Sequence, residues 1–338
     1  MASEQPPRLV DVAARAGVHV STASRVLNGR EEANVRAETR ERIFAAADEL
    51  RYRPNALARG LKTSSTTTLG LLVRSLDNPV MAEMARAAAA RAWERGYVVV
   101  LAEDDGVITE RAWERLVDEG RIDGLLVASA SDGGPILDFV DGTALPHVFV
   151  DHVHPGSGRN ISMREGDAGR IAAQHLIGLG HRRLALLSGP DRFDSARRRS
   201  DAFRAVATAE GLPEPLEVTS EFEPDDARRQ ALALLADRPR TTGVFASSLS
   251  QAIGLLSAVH QLGLRVPGDL SVIAYDDDAL LDYLTPPVTS IRMPMAELGR
   301  LATDALIAQI DGEAPRDVEI PIQPAIVPRS STAPPPEE

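Results

Sequence analysis

One face of a predicted short helix near the N-terminus carries the side chains Val20, Ser21, Thr22 and Arg25. An arginine can donate two hydrogen bonds to the O6 and N7 atoms of guanine, which discriminates between bases by about 1–3 kcal/mol. Serine and threonine hydroxyls reach base edges or nearby phosphates, and a valine side chain can pack on a base methyl group. These residue types at the start of a helix predict a surface that reads double-stranded DNA.

Two short helices joined by a tight turn must position this surface. The apolar spacing places Val10, Ala13, Ala14 and Ala16 on the inner side of the first helix, and Ala23, Val26 and Leu27 on that of the second. Gly17, between the helices, tolerates the positive φ that such turns often need. The pattern predicts a helix-turn-helix, although any small helical bundle also contains a helix, a glycine and a helix. Apolar residues at helical spacing predict a third helix from Ala37 to Arg51.

The distribution of charge restricts any DNA contact to the N-terminal segment. The chain of 338 residues has a formal net charge of −12. Residues 1–62 contain 11 Arg or Lys and 8 Asp or Glu, so they sum to +3 and the rest of the chain sums to −15. We therefore expect the acidic remainder to stay away from phosphates.

Bulk features predict a cytoplasmic protein with no membrane partner. The chain has no cysteine, which excludes disulfides and cysteine metal sites. It has no run of about 18 apolar residues, and its N-terminus lacks the basic and apolar regions of a signal peptide.

From Leu69 onward, apolar runs alternate with amphipathic stretches such as Met81–Arg95 and Ser195–Glu210. The predicted strands are Leu69–Val73, Tyr97–Ala102, Gly124–Ala128, His147–Val150, Leu184–Ser188, Gly243–Ala246, Ser271–Tyr275 and Val288–Ile291. Strands that alternate with helices predict an α/β fold of parallel sheets covered on both faces, and the length suits two sheets. Ligands bind such sheets beyond the carboxyl ends of the strands.

Three separated segments of the sequence resemble the lactose-repressor (LacI/GalR) family of transcriptional regulators. They are Ala16–Gly29, Tyr52–Leu61 and Leu179–Arg182. The resemblance implies a helix-turn-helix domain of three helices at residues 1–53 and a hinge helix with its linker at 54–67. It also implies a two-lobed domain at 68–328, similar to periplasmic sugar-binding proteins. Residues 329–338 are rich in proline and glutamate, which predicts a disordered tail.

The resemblance implies further DNA contacts from Asn28, Asn55, Ala58 and Leu61. A single hinge helix of this length is too short to be stable in water, and in the family it folds on DNA beside the hinge of a second subunit. Leu61 matches the family's leucine that enters the minor groove; alternatively, it is a linker residue that packs on the core. We therefore expect a homodimer on a near-palindromic operator. His19 and Arg36 replace serines that are usual at two helix N-caps, which predicts a less stable small domain.

The resemblance also implies an effector cleft between two lobes. Lobe one would comprise Thr68–Met163 with a return near Met293–Ile320, and lobe two would comprise Arg164–Arg292 with a short final return. The implied effector-binding residues are Asp151, Phe193, Ser195, Arg199, Phe222, Ser248 and Asp276. Carboxylates at the positions of Asp151 and Asp276 accept from ligand hydroxyls in the family, and an aromatic at that of Phe222 stacks on a sugar ring. The alternatives are a surface charge for Arg199 and a helix cap for Asp276.

Several positions depart from the family pattern and make the expected pocket more apolar. Val80–Met81 replaces an aromatic pair, Ser248–Leu249 replaces Asn-Asp, and Met293 replaces a glutamine. A cluster of histidines, His147, His152 and His154, lies near the expected cleft. It lacks the ligand spacing of a metal site, so a strand end and a polar loop are the simpler interpretation.

The sequence predicts a regulator that is not an enzyme and holds no cofactor or metal. No glycine-rich phosphate loop, Gly-x-Ser-x-Gly elbow or His-Glu-x-x-His motif is present. We expect a homodimeric repressor of carbohydrate-related genes. A small-molecule effector, for which a saccharide is the leading candidate, changes its affinity for the operator. The alternatives are a non-sugar effector, a degenerate effector site, and a transport-type binding protein.

Overall fold

The computed structural model describes residues 7–27, 35–52, 65–76, 78–104, 113, 115–236 and 241–337. The chain divides into two compact units, Met1–Thr66 and Thr67–Glu338. Among the described residues, no helix has both the length and the apolar character needed to cross a bilayer.

The described residues of the first unit form three helices, α1 (Leu9–Ala16), α2 (Val20–Leu27) and α3 (Ala37–Glu49). Their buried core consists of Val12, Ala13, Ala16, Ala23, Val26, Ile43, Ala46 and Ala47. The inner stripe of α1 is therefore shifted from the predicted one, because Leu9, Val12, Ala13 and Ala16 fall three or four residues apart. Val10 is 51% exposed and Ala14 is exposed, so both predictions were wrong.

Gly17 ends α1 in the left-handed conformation, with φ of 65°. The Gly17 and Val18 amides then donate to carbonyls of α1 at 3.2 and 3.0 Å, which satisfies acceptors that a helix end leaves open. Arg15 of α1 and Glu49 at the end of α3 form a two-pronged ion pair at 2.6 and 2.9 Å. The turn fixes the start of α2 relative to α1, and the ion pair joins α1 to α3.

The described residues of the second unit form two sheets of six strands each. The first sheet has the strand order β11-β5-β4-β3-β1-β2, and the second has the order β12-β10-β9-β8-β6-β7. The strands of the first are β1 (Thr68–Val73), β2 (Val98–Glu103), β3 (Gly124–Ala128), β4 (His147–Val150), β5 (Asn160–Ser162) and β11 (Val318–Glu319). Those of the second are β6 (Leu184–Ser188), β7 (Leu216–Thr219), β8 (Gly243–Ala246), β9 (Ser271–Tyr275), β10 (Thr289–Arg292) and β12 (Ala325–Val327). All neighbouring pairs are parallel except β10 and β12, which are antiparallel.

Seven α-helices are described in this unit and cover the sheets. They are α4 (Pro79–Glu94), α5 (Pro135–Asp141), α6 (Glu165–Gly178), α7 (Asp194–Ala209), α8 (Pro224–Ala236), α9 (Leu249–Gln261) and α10 (Met295–Ile310). The central strands are buried along their whole length, as expected for parallel strands with helices on both faces. The chain passes from the first sheet to the second after β5, returns in α10 to pack on α4, and crosses again between β11 and β12. These sheets form the two predicted lobes, and we call them lobe one and lobe two.

The last residues pack against lobe two, so the prediction of a disordered tail was wrong. Ser331 is fully buried, and its hydroxyl donates to the Val272 carbonyl at 2.6 Å and accepts from the Thr289 amide at 2.8 Å. The Arg329 guanidinium donates to the Val288 carbonyl at 2.9 Å. These bonds satisfy backbone groups beside β9 and β10, which a proline-rich composition does not reveal.

Candidate functional site

The surface of α2 places the predicted DNA-reading residues on one side. Val20, Ser21 and Arg25 are exposed, and Thr22 is half-buried. The Arg25 Nε donates to the Ser21 carbonyl at 3.3 Å, which aligns the guanidinium along the helix. Asn28, Asn55, Ala58 and Leu61 lie outside the described residues. The first unit thus presents a polar, cationic helix face with its apolar face buried.

His19 caps the start of α2, although it replaces the serine that is usual at this position. The Ser21 amide donates to His19 Nδ1 at 3.3 Å, and the Ser21 hydroxyl lies 2.8 Å from the same nitrogen. The imidazole therefore accepts from the first turn of α2 as a serine oxygen would. The side chain of Arg36 forms no hydrogen bond that caps α3. Of the two predicted cap losses, the one at the start of α3 is therefore the one that remains.

In the second unit, polar side chains follow the carboxyl ends of strands from both lobes. Arg74 and Asp151 come directly after β1 and β4, and Asp276 comes directly after β9. They line a cavity of about 30 Å³ together with Asn78, Met81, Met163, Ser195, Arg199, Phe222, Ser247, Ser248, Tyr275 and Met295. The cavity has room for about one water molecule. This is the edge at which ligands bind parallel sheets.

Both aspartates hold a left-handed backbone, with φ of 69° at Asp151 and 73° at Asp276. This conformation is uncommon outside glycine and is retained only where the surroundings impose it. The Asp151 Oδ1 is buried and has no hydrogen-bond partner within the described part of the chain. A buried carboxylate oxygen without a donor is costly, and a ligand hydroxyl would supply the missing donor.

Burial raises the pKa of Asp276 to about 7, and the nearby Asp151 charge adds to this rise. The Arg199 charge and a hydrogen bond with the Asn78 side chain act in the opposite direction. Asn78 also caps α4, since its Oδ1 accepts from the Val80 amide at 3.1 Å. The alternative role of Asp276 as a helix cap belongs instead to Asp278, whose Oδ1 accepts from the Leu280 amide at 2.8 Å.

Arg199 is 4% exposed, so it is not a surface charge. Its guanidinium donates to Glu165 at 2.5 Å and to the Ser247 hydroxyl at 3.2 Å. It also lies 3.8 Å from the centre of the Tyr275 ring, and the Tyr275 hydroxyl donates to Glu165 at 2.9 Å. Burial raises the pKa of Glu165 to about 7, while the Arg199 charge favours the carboxylate. The network fixes the guanidinium at the cleft wall.

The aromatic wall consists of Phe193 and Phe222, whose ring centres are 5.5 Å apart. Gly189 makes room for it, because a Cβ there would lie 2.5 Å from the Phe222 ring. The Ser248 hydroxyl accepts from the Gln251 amide at 3.1 Å and caps α9. Ser195 is buried at the start of α7 and lines the cavity. The cleft thus brings together all the predicted effector residues except Phe193, whose ring packs against that of Phe222.

The two lobes contact each other beside the cleft through Asp132 of lobe one. Its amide donates to the Arg192 carbonyl at 2.8 Å, and its carboxylate pairs with Arg197 at 2.7 Å. Arg198 donates to the Met163 carbonyl at 3.1 Å. These contacts join the two lobes beside the cavity.

The three histidines that are close in the sequence have different polar partners. His147 Nδ1 lies 2.9 Å from the Leu145 carbonyl, and His152 Nε2 lies 3.5 Å from Asp132. The ring of Phe149 lies between those of His147 and His154. Within the described part of the chain, no three His, Asp or Glu side chains are arranged to hold a metal ion.

Comparisons with known proteins match both units. A sequence profile for bacterial regulatory proteins of the lacI family matches residues 8–55, and one for a periplasmic binding protein-like domain matches residues 173–332. The ribose operon repressor of Escherichia coli is 36% identical over 95% of this chain and 98% of its own length. The transcriptional repressor PurR of Photobacterium profundum is 32% identical, covering 89% and 91% of the two chains. A lac repressor dimer bound to operator and the anti-inducer ONPF is 29% identical, with a TM-score of 0.85 over 97% of this chain and 100% of the other.

The chain belongs to the LacI family. It is a DNA-binding transcriptional repressor with an effector-binding domain, as its relatives are. These matches confirm the helix-turn-helix and the α/β fold that the residue pattern predicts, and the two lobes that the resemblance implies.

The cleft of this LacI-family repressor also contains residues that sequence reasoning did not single out, namely Arg74, Glu165 and Tyr275. Arg74 and Tyr275 could have been predicted from the sequence, because each lies at the carboxyl end of a predicted strand, as Asp151 and Asp276 do. Glu165 gave no signal, since a glutamate in the first turn of a helix is ordinary surface sequence.

Proposed function

We propose that this repressor is a cytoplasmic homodimer that controls carbohydrate-related genes and is released from its operator by a saccharide bound between the lobes. The observation that supports the effector class is the pair of carboxyls of Asp151 and Asp276, which come from different lobes and line one cavity with Phe222. Carboxylates accept paired hydroxyls, and an aromatic ring packs on the apolar face of a sugar. One relative is named a ribose operon repressor, which agrees with this class.

Operator binding is assigned to α2 and to the hinge residues. Val20, Ser21, Thr22 and Arg25 approach base edges or nearby phosphates, with support from Asn28 and from Asn55, Ala58 and Leu61. A dimer presents two such surfaces, so the operator is a near-palindrome. The lac repressor relative is described as a dimer bound to operator, which supports the same assembly here.

The effector acts by changing the relation between the lobes. Asn78 and Asp151 belong to lobe one, while Arg199 and Asp276 belong to lobe two, so a ligand that contacts all four has a different affinity for open and closed forms. The hinge joins lobe one at β1. A change in lobe closure therefore alters the separation of the two hinges in a dimer.

The assay for operator binding is sequencing of the genomic DNA fragments that the purified protein retains. We expect a near-palindromic consensus, and Arg25→Ala should flatten the preference at one symmetric base pair in each half-site. The expected loss there is about 1–3 kcal/mol of discrimination. Arg15→Ala, which removes a cation of α1 already paired with Glu49, is the control and should leave the consensus unchanged. Retained fragments without a shared palindrome would refute sequence-specific binding.

A further inference from the structure

Arg74 occupies the position in the cleft where a sugar ring is expected to stack. The carbon at the centre of its guanidinium lies 4.1 Å from the centre of the Phe193 ring and 4.6 Å from that of Phe222. A cation over an aromatic face is attracted by the ring quadrupole. Because the remaining cavity is only about 30 Å³, an effector can stack on Phe222 only if the Arg74 side chain moves off these rings.

Among the described residues, the charged guanidinium of Arg74 has no hydrogen-bond partner. Its Nε is buried and unpaired, and within the described residues no hydrogen bond joins Arg74 to another side chain or to the backbone. Burial lowers the pKa of Arg74 to about 10, while the Asp151 charge opposes this change. The group therefore stays protonated at neutral pH.

The neighbouring arginines already have anionic partners. Arg199 pairs with Glu165 at 2.5 Å, Arg192 pairs with Glu221 at 2.5 Å, and Arg197 pairs with Asp132 at 2.7 Å. Of the described arginines around the cleft, Arg74 is thus the cation whose fork of donors is open to a ligand. A guanidinium binds a carboxylate or a phosphate through two parallel, charge-assisted hydrogen bonds.

The charge state of the acidic groups in the cleft is compatible with an anionic ligand. Asp276 has a pKa of about 7 because it is buried, so it is largely neutral just below that pH and can donate or accept a hydrogen bond. Glu165 is neutralised by Arg199. Asp151 lines the same cavity and can accept from ligand hydroxyls.

We propose that Arg74 selects an effector that carries an anionic group, a carboxylate or a phosphate, on a polyhydroxyl skeleton. The guanidinium leaves the two phenylalanine rings and takes the anion, while Asp151 and Asp276 take hydroxyls and Phe222 takes the apolar face of the sugar. This inference rests on the proposed effector site and adds the class of effector.

The test measures the binding of matched sugars to the full-length protein by calorimetry. The probes are glucose, gluconate and glucose 6-phosphate, together with ribose and ribose 5-phosphate, and inorganic phosphate serves as the ion alone. We expect an anionic member to bind roughly tenfold or more tightly than its neutral partner, the range for hydrogen bonds to charged groups. The gluconate and phosphate arms decide between the two anions.

Three variants assign the preference to Arg74. Arg74→Met keeps an unbranched side chain that packs on the rings and should remove the preference for the anion. Arg74→Lys keeps the charge without the fork and should retain part of the preference, so the test stands even if the methionine variant folds poorly. Arg192→Met is the matched control, because Arg192 lies 4.8 Å from the same Phe193 ring but pairs with Glu221 at the surface.

Equal binding of neutral and anionic sugars, or an anion preference that persists in Arg74→Met, would overturn this inference and leave the saccharide site in place. If only inorganic phosphate binds, the anion is an adventitious ion only and the inference is wrong. If no sugar of either kind binds the parent protein, the proposed effector class fails, and this inference fails with it.

Discussion

Replacement of Asp276 by asparagine should stabilise the effector-free protein in a pH-dependent way. Asparagine keeps the size of the side chain and can still accept a hydrogen bond from Asn78, but it has no proton to lose. In the folded protein burial raises the pKa of Asp276 to about 7, whereas an aspartate in an unfolded chain has a pKa of about 3.9.

The sign and size of the effect follow from this difference. Between the two pKa values the folded state binds more protons than the unfolded state, so the free energy of unfolding falls as the pH rises from about 3.9 to about 7. Each pH unit in this window corresponds to about 1.4 kcal/mol. From pH 5.5 to pH 8 the parent should lose about 2 kcal/mol through Asp276, and Asp276→Asn should not.

Urea unfolding followed by tryptophan emission measures this difference. Both tryptophans, Trp93 and Trp113, belong to the second unit, and Trp113 is buried in its core, so the signal reports the unit that contains Asp276. Asp278→Asn is the control, because it removes a carboxylate from the same loop. A stability difference between parent and Asp276→Asn that is equal at pH 5.5 and pH 8 would show that the carboxyl of Asp276 is not perturbed by burial.

Two further predictions concern a buried ion pair and a missing cap. Glu165→Leu leaves the Arg199 guanidinium buried without its anion and should cost about 3–5 kcal/mol of unfolding free energy. Urea unfolding should show that the double variant with Arg199→Met regains most of it, and no recovery would contradict a pairwise role. Arg36→Ser adds an N-cap oxygen to α3 and should stabilise it by about 1 kcal/mol. Hydrogen exchange on the full-length chain measures this as slower exchange of the α3 amides, and unchanged rates would contradict it.

Most of the strands that the sequence revealed are buried on both faces, although the predicted β2 is largely exposed. Leu184–Ser188 and Ser271–Tyr275, for example, are apolar runs with the predicted bounds. The missed strands, such as β5 and β11, have two or three residues, and their pairing depends on distant partners rather than on local sequence. For the same reason composition alone mispredicted the tail, since Ser331 is held by backbone groups of β9 and β10.

The cleft was predictable where a residue directly follows a buried strand and matches the family. Asp151 and Asp276 meet both conditions, and the structure brings them to one cavity. Arg74 meets the first condition only. Its proposed role depends on its contacts with two phenylalanine rings that lie more than 100 positions away in the chain. The state of a charge depends on its three-dimensional neighbours, which spacing along the chain does not give.

Operator release by the effector is the most direct test of the account. A labelled operator bound to the full-length protein is titrated with the sugar that binds the parent most tightly, and its anisotropy is recorded for the parent and for Asp276→Ala. The coupling typical of such systems predicts that the sugar weakens operator binding by about 5–150-fold in the parent. In Asp276→Ala it should have no effect, while operator affinity without sugar stays close to that of the parent. An equal response in both proteins, or tighter operator binding with the sugar, would contradict the account.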